Sequence, residues 1–436
     1  MQLNESDIKL MFGMKPADAI AYLEKKGMRL SWDWHETLDS VNARSFTVAK
    51  AARIDILQSL KSELKNQLVN GGTQKQFIDN LTPILQQQGW WGKQVIVDPA
   101  GNAQMVQLGS PRRLKTIRET NMQSAYMAGR YKAMMEAKAT HPYWRYVAIL
   151  DSRTRPTHRA LDGVVFSIDD EFTNVGYPPN GYNCRCRAVA MSRAALKREG
   201  ITPTDTSGIL KTETVKAGVD KRTGEVRFAQ RTGFMLQQPN GKSIWVGPDV
   251  GFNSSPIASP IMDKLLVRQA KQLTPNYLNQ VQDILLSKPR MDAWRGFVKN
   301  VIDYGFTQNQ SITATVVKGK ALALAQKYIN DQFNAVAEFQ DNLIIGKKAQ
   351  RHSDFNMQLT VDDFMVLPIL ISNAQDFRID TEDNALIYKV VGKSGKKILM
   401  AIQDKHGKAV VSTVFYDIND NFEKYSLGDN PRYIKE

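Results

Sequence analysis

Both cysteines of this 436-residue chain, Cys184 and Cys186, stand two residues apart. The block around them, Leu150–Arg187, also holds His158, one of five histidines. Cys-x-Cys closes too short a loop for an unstrained disulfide. The two sulfurs therefore either share a metal ion or are fixed in place by a local fold. Zinc takes sulfur and nitrogen ligands tetrahedrally, and a structural zinc site wants four of them. His158, Cys184 and Cys186 offer three, and Asp151 is the candidate fourth. The competing reading buries the imidazole and thiols in a hydrogen-bonded polar knot without metal. A nucleophilic role for Cys184 lacks an obvious dedicated base in the sequence.

The spacing within the block says how it folds. Asp151 can make bidentate ion pairs with Arg153 or Arg155 that pin a turn. Leu161-Asp162-Gly163 is a turn signal ahead of the apolar run Val164-Val165-Phe166. Tyr177-Pro178-Pro179-Asn180-Gly181 is a second rigid turn that sends the chain back. The predicted result is a compact, loop-rich knot whose ends meet, bringing His158 near the Cys-x-Cys.

Elements on either side must position that knot. Phe46, Ala49, Ala52, Ile56, Leu60, Leu64 and Leu68 form an amphipathic stripe over residues 41–70, which predicts a helix ended by Gly71-Gly72. Thr73 with Gln76 is a capping box opening the next helix, in which Pro83 is expected to make a kink or split. Trp90 and Trp91 read as a packed corner. Residues 112–139 read as a second strong helix, and residues 142–150 as a strand leading into the block. Val226–Phe228, Phe234–Leu236 and Ile244–Val246 are short β-like runs, with Asn240-Gly241 as a hairpin pair between the last two. After a Ser/Pro-rich linker near residues 253–260, residues 262–337 read as mostly helical. Beyond them a helix over residues 361–371 precedes three strands, 386–391, 398–403 and 410–416, with Ser394-Gly395 and His406-Gly407 as tight turns.

The net charge is +14, and it is unevenly spread. Residues 109–231 carry an excess of about ten positive charges, whereas residues 341–436 are near neutral. A basic region can neutralise phosphates and bind DNA non-specifically. The candidates are Arg112, Arg113, Arg118, Arg130, Arg185 and Arg187; a merely solvated surface is the competing reading. No run of about 18 apolar residues exists, so no membrane span is expected. Met1–Asp7 lacks the basic-then-apolar layout of a signal peptide, and two cysteines without a disulfide framework suggest a reducing, cytosolic setting.

The ordered residues Asp151, Arg153, His158, Leu161-Asp162-Gly163, Pro178-Pro179, Gly181, Asn183, Cys184 and Cys186 resemble the signature of the phage Mu F-like minor head proteins. Gly89-Trp90-Trp91-Gly92, Arg112–Asn121, Ala128-Gly129-Arg130 and Gly247–Pro256 also fit, so the resemblance covers about residues 15–255. It implies a minor head protein of a tailed bacteriophage, located in the virion head near the portal and passing through the host cytoplasm during assembly. The portal protein, other head proteins and phage DNA are the implied partners, and ejection with the DNA is an implied option. Some related proteins carry a fuller Cys-x-x-Cys…His-x-x-Cys-x-Cys pattern; here Arg155 and Gly181 stand where two of those ligands would be.

The C-terminal α-then-β-meander resembles, more weakly, the barnase/EndoU/colicin/RelE group of phage-associated nuclease-like domains, on its Leu-Pro element and closing Thr413-x-x-Tyr416. That resemblance implies an alternative, a delivered effector acting as a metal-independent ribonuclease toxin on RNA. Such cleavage needs a base, an acid and a cation. His352, Lys397, His406, Thr413 and Tyr416 have suitable chemistry, although His406 also fits an exposed turn, Lys397 a solvated edge and Thr413 an ordinary strand position. The fold class expected is α+β. Its parts are a helical region (1–108), a core with the His/Cys-x-Cys block (109–200), a β-rich extension and linker (201–260), a helical connector (261–340) and a small α+β domain (341–436).

Overall fold

A computed structural model describes residues 17–31, 44–97, 101, 103–219, 224–238, 241–253, 256–270, 274–427 and 432–435. The chain is α+β and divides into two compact units, Met1–Ile261 and Met262–Glu436.

In the first unit the apolar stripe becomes the helix Ile54–Asn70, which buries Ile56, Leu57, Leu60, Leu64 and Leu68. It starts later than the stripe predicts. Lys50 adopts a positive φ of 63°, which a helix cannot propagate through. Upstream of it Ser45–Phe46 is extended and pairs in parallel with Gly27–Met28. Thr73 forms the expected capping box with Gln76 at the start of the helix Gln74–Gln87. Pro83 neither ends nor splits that helix. It lies on the exposed face, where water can satisfy the carbonyl that loses its bond. Trp90 is buried, and its indole N–H donates to the Lys50 carbonyl at 2.8 Å, which makes the expected packed corner.

Ser110 caps the long helix Pro111–Glu136, with Pro111 in its first turn. Behind that helix lies the sheet that carries the cysteine block. Tyr143–Val147 runs between Val165–Ser167 and Arg187–Met191, antiparallel to both. Period-two alternation sends Trp144 and Tyr146 inward, both fully buried. The β-rich extension is larger than its short runs suggest. Val226–Gln237 is one continuous strand, paired with Lys211–Val219 on one side and Ser243–Val246 on the other. Pro239 and Asn240 of the expected hairpin lie outside the described residues.

The second unit centres on one seven-stranded sheet. Its spatial order is Ser311–Val316, Val336–Gln340, Ala409–Tyr416, Lys397–Asp404, Ala385–Val391, Asp376–Asp380, Tyr433–Ile434. The three predicted strands and both turns are present, with Gly395, His406 and Gly407 at positive φ. The helical connector is not purely helical: Ser311–Val316 and Val336–Gln340 are strands, in keeping with the β-branched run Ile312-Thr313…Thr315-Val316. Glu338 pairs in parallel with Val410. The expected boundary at 340/341 therefore falls inside one sheet, and both flanks share one hydrophobic core. The break that the fold makes is at 261/262.

Candidate metal centre

Three short pieces build the centre. Pro156–Ala160 forms a helical turn with His158 facing inward. The Pro178–Pro179 corner, with a cis peptide bond, carries Asn180. The chain then passes Cys184, Arg185 and Cys186 before entering the strand Arg187–Met191. Extended backbone alternates its side chains, and the spacing uses this directly. Cys184 and Cys186 turn inward, while Arg185 between them turns out to Asp151.

His158, Cys184 and Cys186 are 2%, 5% and 3% exposed. The His158 Nδ1 lies 3.8 Å from the Cys184 Sγ and 3.6 Å from the Cys186 Sγ, and the three ligating atoms all fall within 4.8 Å of one another. Both thiols are free. A second layer surrounds them. Tyr146 and Asn180, both fully buried, belong to it. The Asn180 side-chain amide donates to the Tyr146 hydroxyl at 3.3 Å and to the Gly176 carbonyl at 2.9 Å. A hydrogen bond from Cys186, with His158 alongside, holds the Cys184 thiol well below its ordinary range. The same pairing, with burial, pushes the Cys186 thiol up. Burial pushes the Tyr146 phenol well up, so it remains a donor. The sequence missed Tyr146 and Asn180; strand alternation from Trp144 was the one signal for the former.

Asp151, the expected fourth ligand, stands outside the cluster that His158, Cys184 and Cys186 form. Arg185 takes both its carboxylate oxygens at 2.7 Å each, and Arg153 adds a longer contact at 3.4 Å. Arg155, the other expected partner, bonds the Tyr182 carbonyl and pairs with Asp249 at 3.2 Å. Gly181 lies beside that pair, where a Cβ would come within 2.3 Å of the Asp249 carboxylate. The two positions expected to carry further ligands thus hold an ion pair and the space it needs.

The Arg185 hydrogen bonds hold the Asp151 carboxyl far below the usual carboxylate range. A depressed folded value means that the stabilisation is complete above the ordinary aspartate value of about 3.9 and is lost as pH falls through the folded one. The stability difference between wild type and Asp151→Asn, measured by denaturant unfolding, should be constant above roughly pH 5 and shrink below roughly pH 4. A difference that ignores pH would show that the pair contributes nothing through its charge.

The remaining arginines are mostly occupied. Arg113 donates to the carbonyls of Ala49, Gln107 and Leu108, lies over the Trp90 ring, and is pulled down to about 10 by burial. Arg118 bonds Gln67 and the Gly72 carbonyl, and Arg130 bonds the Ala188 carbonyl at 2.9 Å. With Gln123 donating to the Cys186 carbonyl at 2.6 Å, Arg130 ties the long helix to the cysteine strand. Arg112 is exposed and Arg187 half-buried. Internal stapling, rather than a common phosphate-binding face, is what Arg113, Arg118, Arg130 and Arg185 do in this fold.

The five residues named for RNA cleavage do not converge. His352 Nε2 meets the Thr413 hydroxyl at 3.3 Å and its ring packs on Phe415. Tyr416, an odd number of residues further on, faces the other side of the strand. There it is buried and bonds Thr360, Asp363 and Ser394. Lys397 is taken by Asp420 at 2.6 Å. His406 occupies the hairpin turn beyond Asp404, at the far end of a strand whose seven steps from Lys397 span roughly 23 Å.

Comparison with known proteins places these features. A family model described as Phage Mu protein F like protein matches residues 58–189, a span that contains the whole cysteine block. The chain is 36% identical over 392 residues to "Putative capsid assembly protein F" of Escherichia phage Mu, covering 89% of this chain and 87% of that protein. It is 30% identical over 421 residues to "Mu-like prophage FluMu F protein" of Haemophilus influenzae, covering 94% of this chain and 99% of that one. No solved structure matches the chain.

Proposed function

Since the chain belongs to the phage Mu protein F-like family, we propose that it acts in capsid assembly, as a minor head protein of a tailed bacteriophage. The observation that carries this reading is the extent of the likeness to a protein named for capsid assembly. An alignment of 392 residues must run through most of Met262–Glu436 as well as the first unit. The C-terminal unit is therefore shared with such a protein, which favours a part in assembly over appended cargo, and the dispersed His352, Lys397, His406, Thr413 and Tyr416 lend the effector alternative no support.

In the finer form of the proposal the protein sits inside the head near the portal, with the portal protein and other head proteins as partners. DNA contact there would rest on the basic excess of residues 109–231 acting diffusely. No helix among the described residues is long and apolar enough to cross a membrane. The test is a phage or prophage lacking this gene, complemented with wild type or with a variant truncated after Ile261. Loss of DNA-filled heads, restored by wild type and not by the truncation, is expected. Normal heads without the protein would overturn the assembly role, and rescue by the truncated chain would return the C-terminal unit to the status of cargo.

A further inference from the structure

The geometry points to a zinc ion bound by His158 Nδ1, Cys184 Sγ and Cys186 Sγ, with Tyr146 and Asn180 as positioning residues. The imidazole nitrogen stands from both sulfurs at the separation such a centre requires. Zinc–sulfur bonds of about 2.3 Å and zinc–nitrogen bonds of about 2.0–2.1 Å put nitrogen and sulfur roughly 3.5 Å apart on a tetrahedron. The two distances here are 3.6 and 3.8 Å. Two thiols and an imidazole have also been taken almost completely out of water, which is costly for polar groups without strong partners.

The surroundings carry the argument further. A buried polar layer, in which the Asn180 side-chain amide donates to the Tyr146 hydroxyl at 3.3 Å, adjoins the two sulfurs. Both sulfurs face the same imidazole nitrogen on the inside. Two sulfurs and an imidazole nitrogen that converge in a buried space suit a divalent cation between them, which displaces both thiol protons as it binds. The charges then cancel, which removes the main cost of burial. Binding forms two zinc–sulfur bonds and one zinc–nitrogen bond and releases the two thiol protons to solvent. A water molecule takes the fourth position.

Asn180 braces this layer, its side chain holding the Tyr146 hydroxyl at 3.3 Å and the Gly176 carbonyl at 2.9 Å. This is the outer layer of hydrogen bonds that orients metal ligands and whose loss lowers affinity by about 10–100-fold. The ion would clamp the Pro156–Ala160 turn to the loop entering Arg187–Met191, on the opposite face of that loop from the Asp151–Arg185 pair.

Full-length protein, purified under reducing conditions without chelator, is the material for the test. Elemental analysis should give about one zinc per chain. Chelator-stripped protein titrated with Co(II) should develop the thiolate-to-cobalt absorption of a tetrahedral site. Cys184→Ser and Cys186→Ser should each abolish that absorption, while Tyr146→Phe keeps it and weakens binding about 10–100-fold. The cobalt titration of wild type decides the matter even where a serine variant fails to fold. Wild type that carries no zinc and takes up no cobalt, or whose two thiols prove to be disulfide-bonded, would overturn the assignment. So would unchanged binding in a folded Cys184→Ser protein.

Discussion

Arg290→Met is expected to destabilise the second unit by about 3–5 kcal/mol, because it removes one charge of a buried ion pair. Arg290 and Asp263 are each 2% exposed and meet at 2.7 Å. The Thr313 amide and hydroxyl donate to the same Asp263 oxygen at 3.1 and 2.7 Å. The cluster thus pins the helices Pro260–Gln269 and Lys288–Tyr304 to the edge strand Ser311–Val316. Methionine approximates the aliphatic stem, so the loss reports the charge rather than a cavity. Neutralising the partner as well, in Arg290→Met with Asp263→Asn, should recover part of the loss, because residues in direct contact are not additive. Guanidinium unfolding of the full chain, followed by circular dichroism, measures these two variants and Asp263→Asn alone. A single-variant loss under about 1 kcal/mol, or strict additivity, would rule out a buried pair of this kind.

The first unit has its most sensitive point at Trp144, where alanine should cost about 3–5 kcal/mol. The side chain is fully buried on the central strand of its sheet. Its ring lies 5.2 Å from Phe166 and 5.3 Å from Tyr177, and its indole N–H donates to the Thr173 hydroxyl at 2.8 Å. Phenylalanine keeps most of the ring and forfeits the hydrogen bond, for which a loss nearer 1–2 kcal/mol is expected. The ordering of the two variants is the informative readout in denaturant unfolding. Equal losses would mean that the hydrogen bond, and not the aromatic packing, holds this region.

Local chemistry was the legible part of the sequence. Thr73 and Gln76 announced their capping box because everything that makes it lies within four residues. The C-terminal meander was visible because alternation and turn glycines are also local. That His158 would approach the cysteines could be inferred, since two turns of recognisable type lie between them. Of the partners of Asp151, Arg153 was legible from its spacing; Arg185, which takes both carboxylate oxygens, was not. Arg153, Arg155 and Arg185 are chemically equivalent, and only the alternation of Cys184-Arg185-Cys186 in space selects the last. The stapling arginines were illegible for a related reason: carbonyls such as Ala49, Gly72 and Ala188 become acceptors only once distant segments fold together. One error was avoidable. Thr413 and Tyr416 are separated by an odd number of residues, which on a strand puts them on opposite faces.

The order of the seven-stranded sheet sets a schedule as well as a shape. Val336–Gln340 has Ser311–Val316 on one side, already made when it emerges, and on the other Ala409–Tyr416, which is not. A ribosome adding about 5–20 residues per second needs several seconds to travel from Gln340 to Tyr416. For that time an apolar strand presents an open row of amides and carbonyls, the kind of edge that recruits the wrong neighbour. The interval of greatest vulnerability for this protein is therefore its own synthesis, and the last strands of the chain are what bring it to a close.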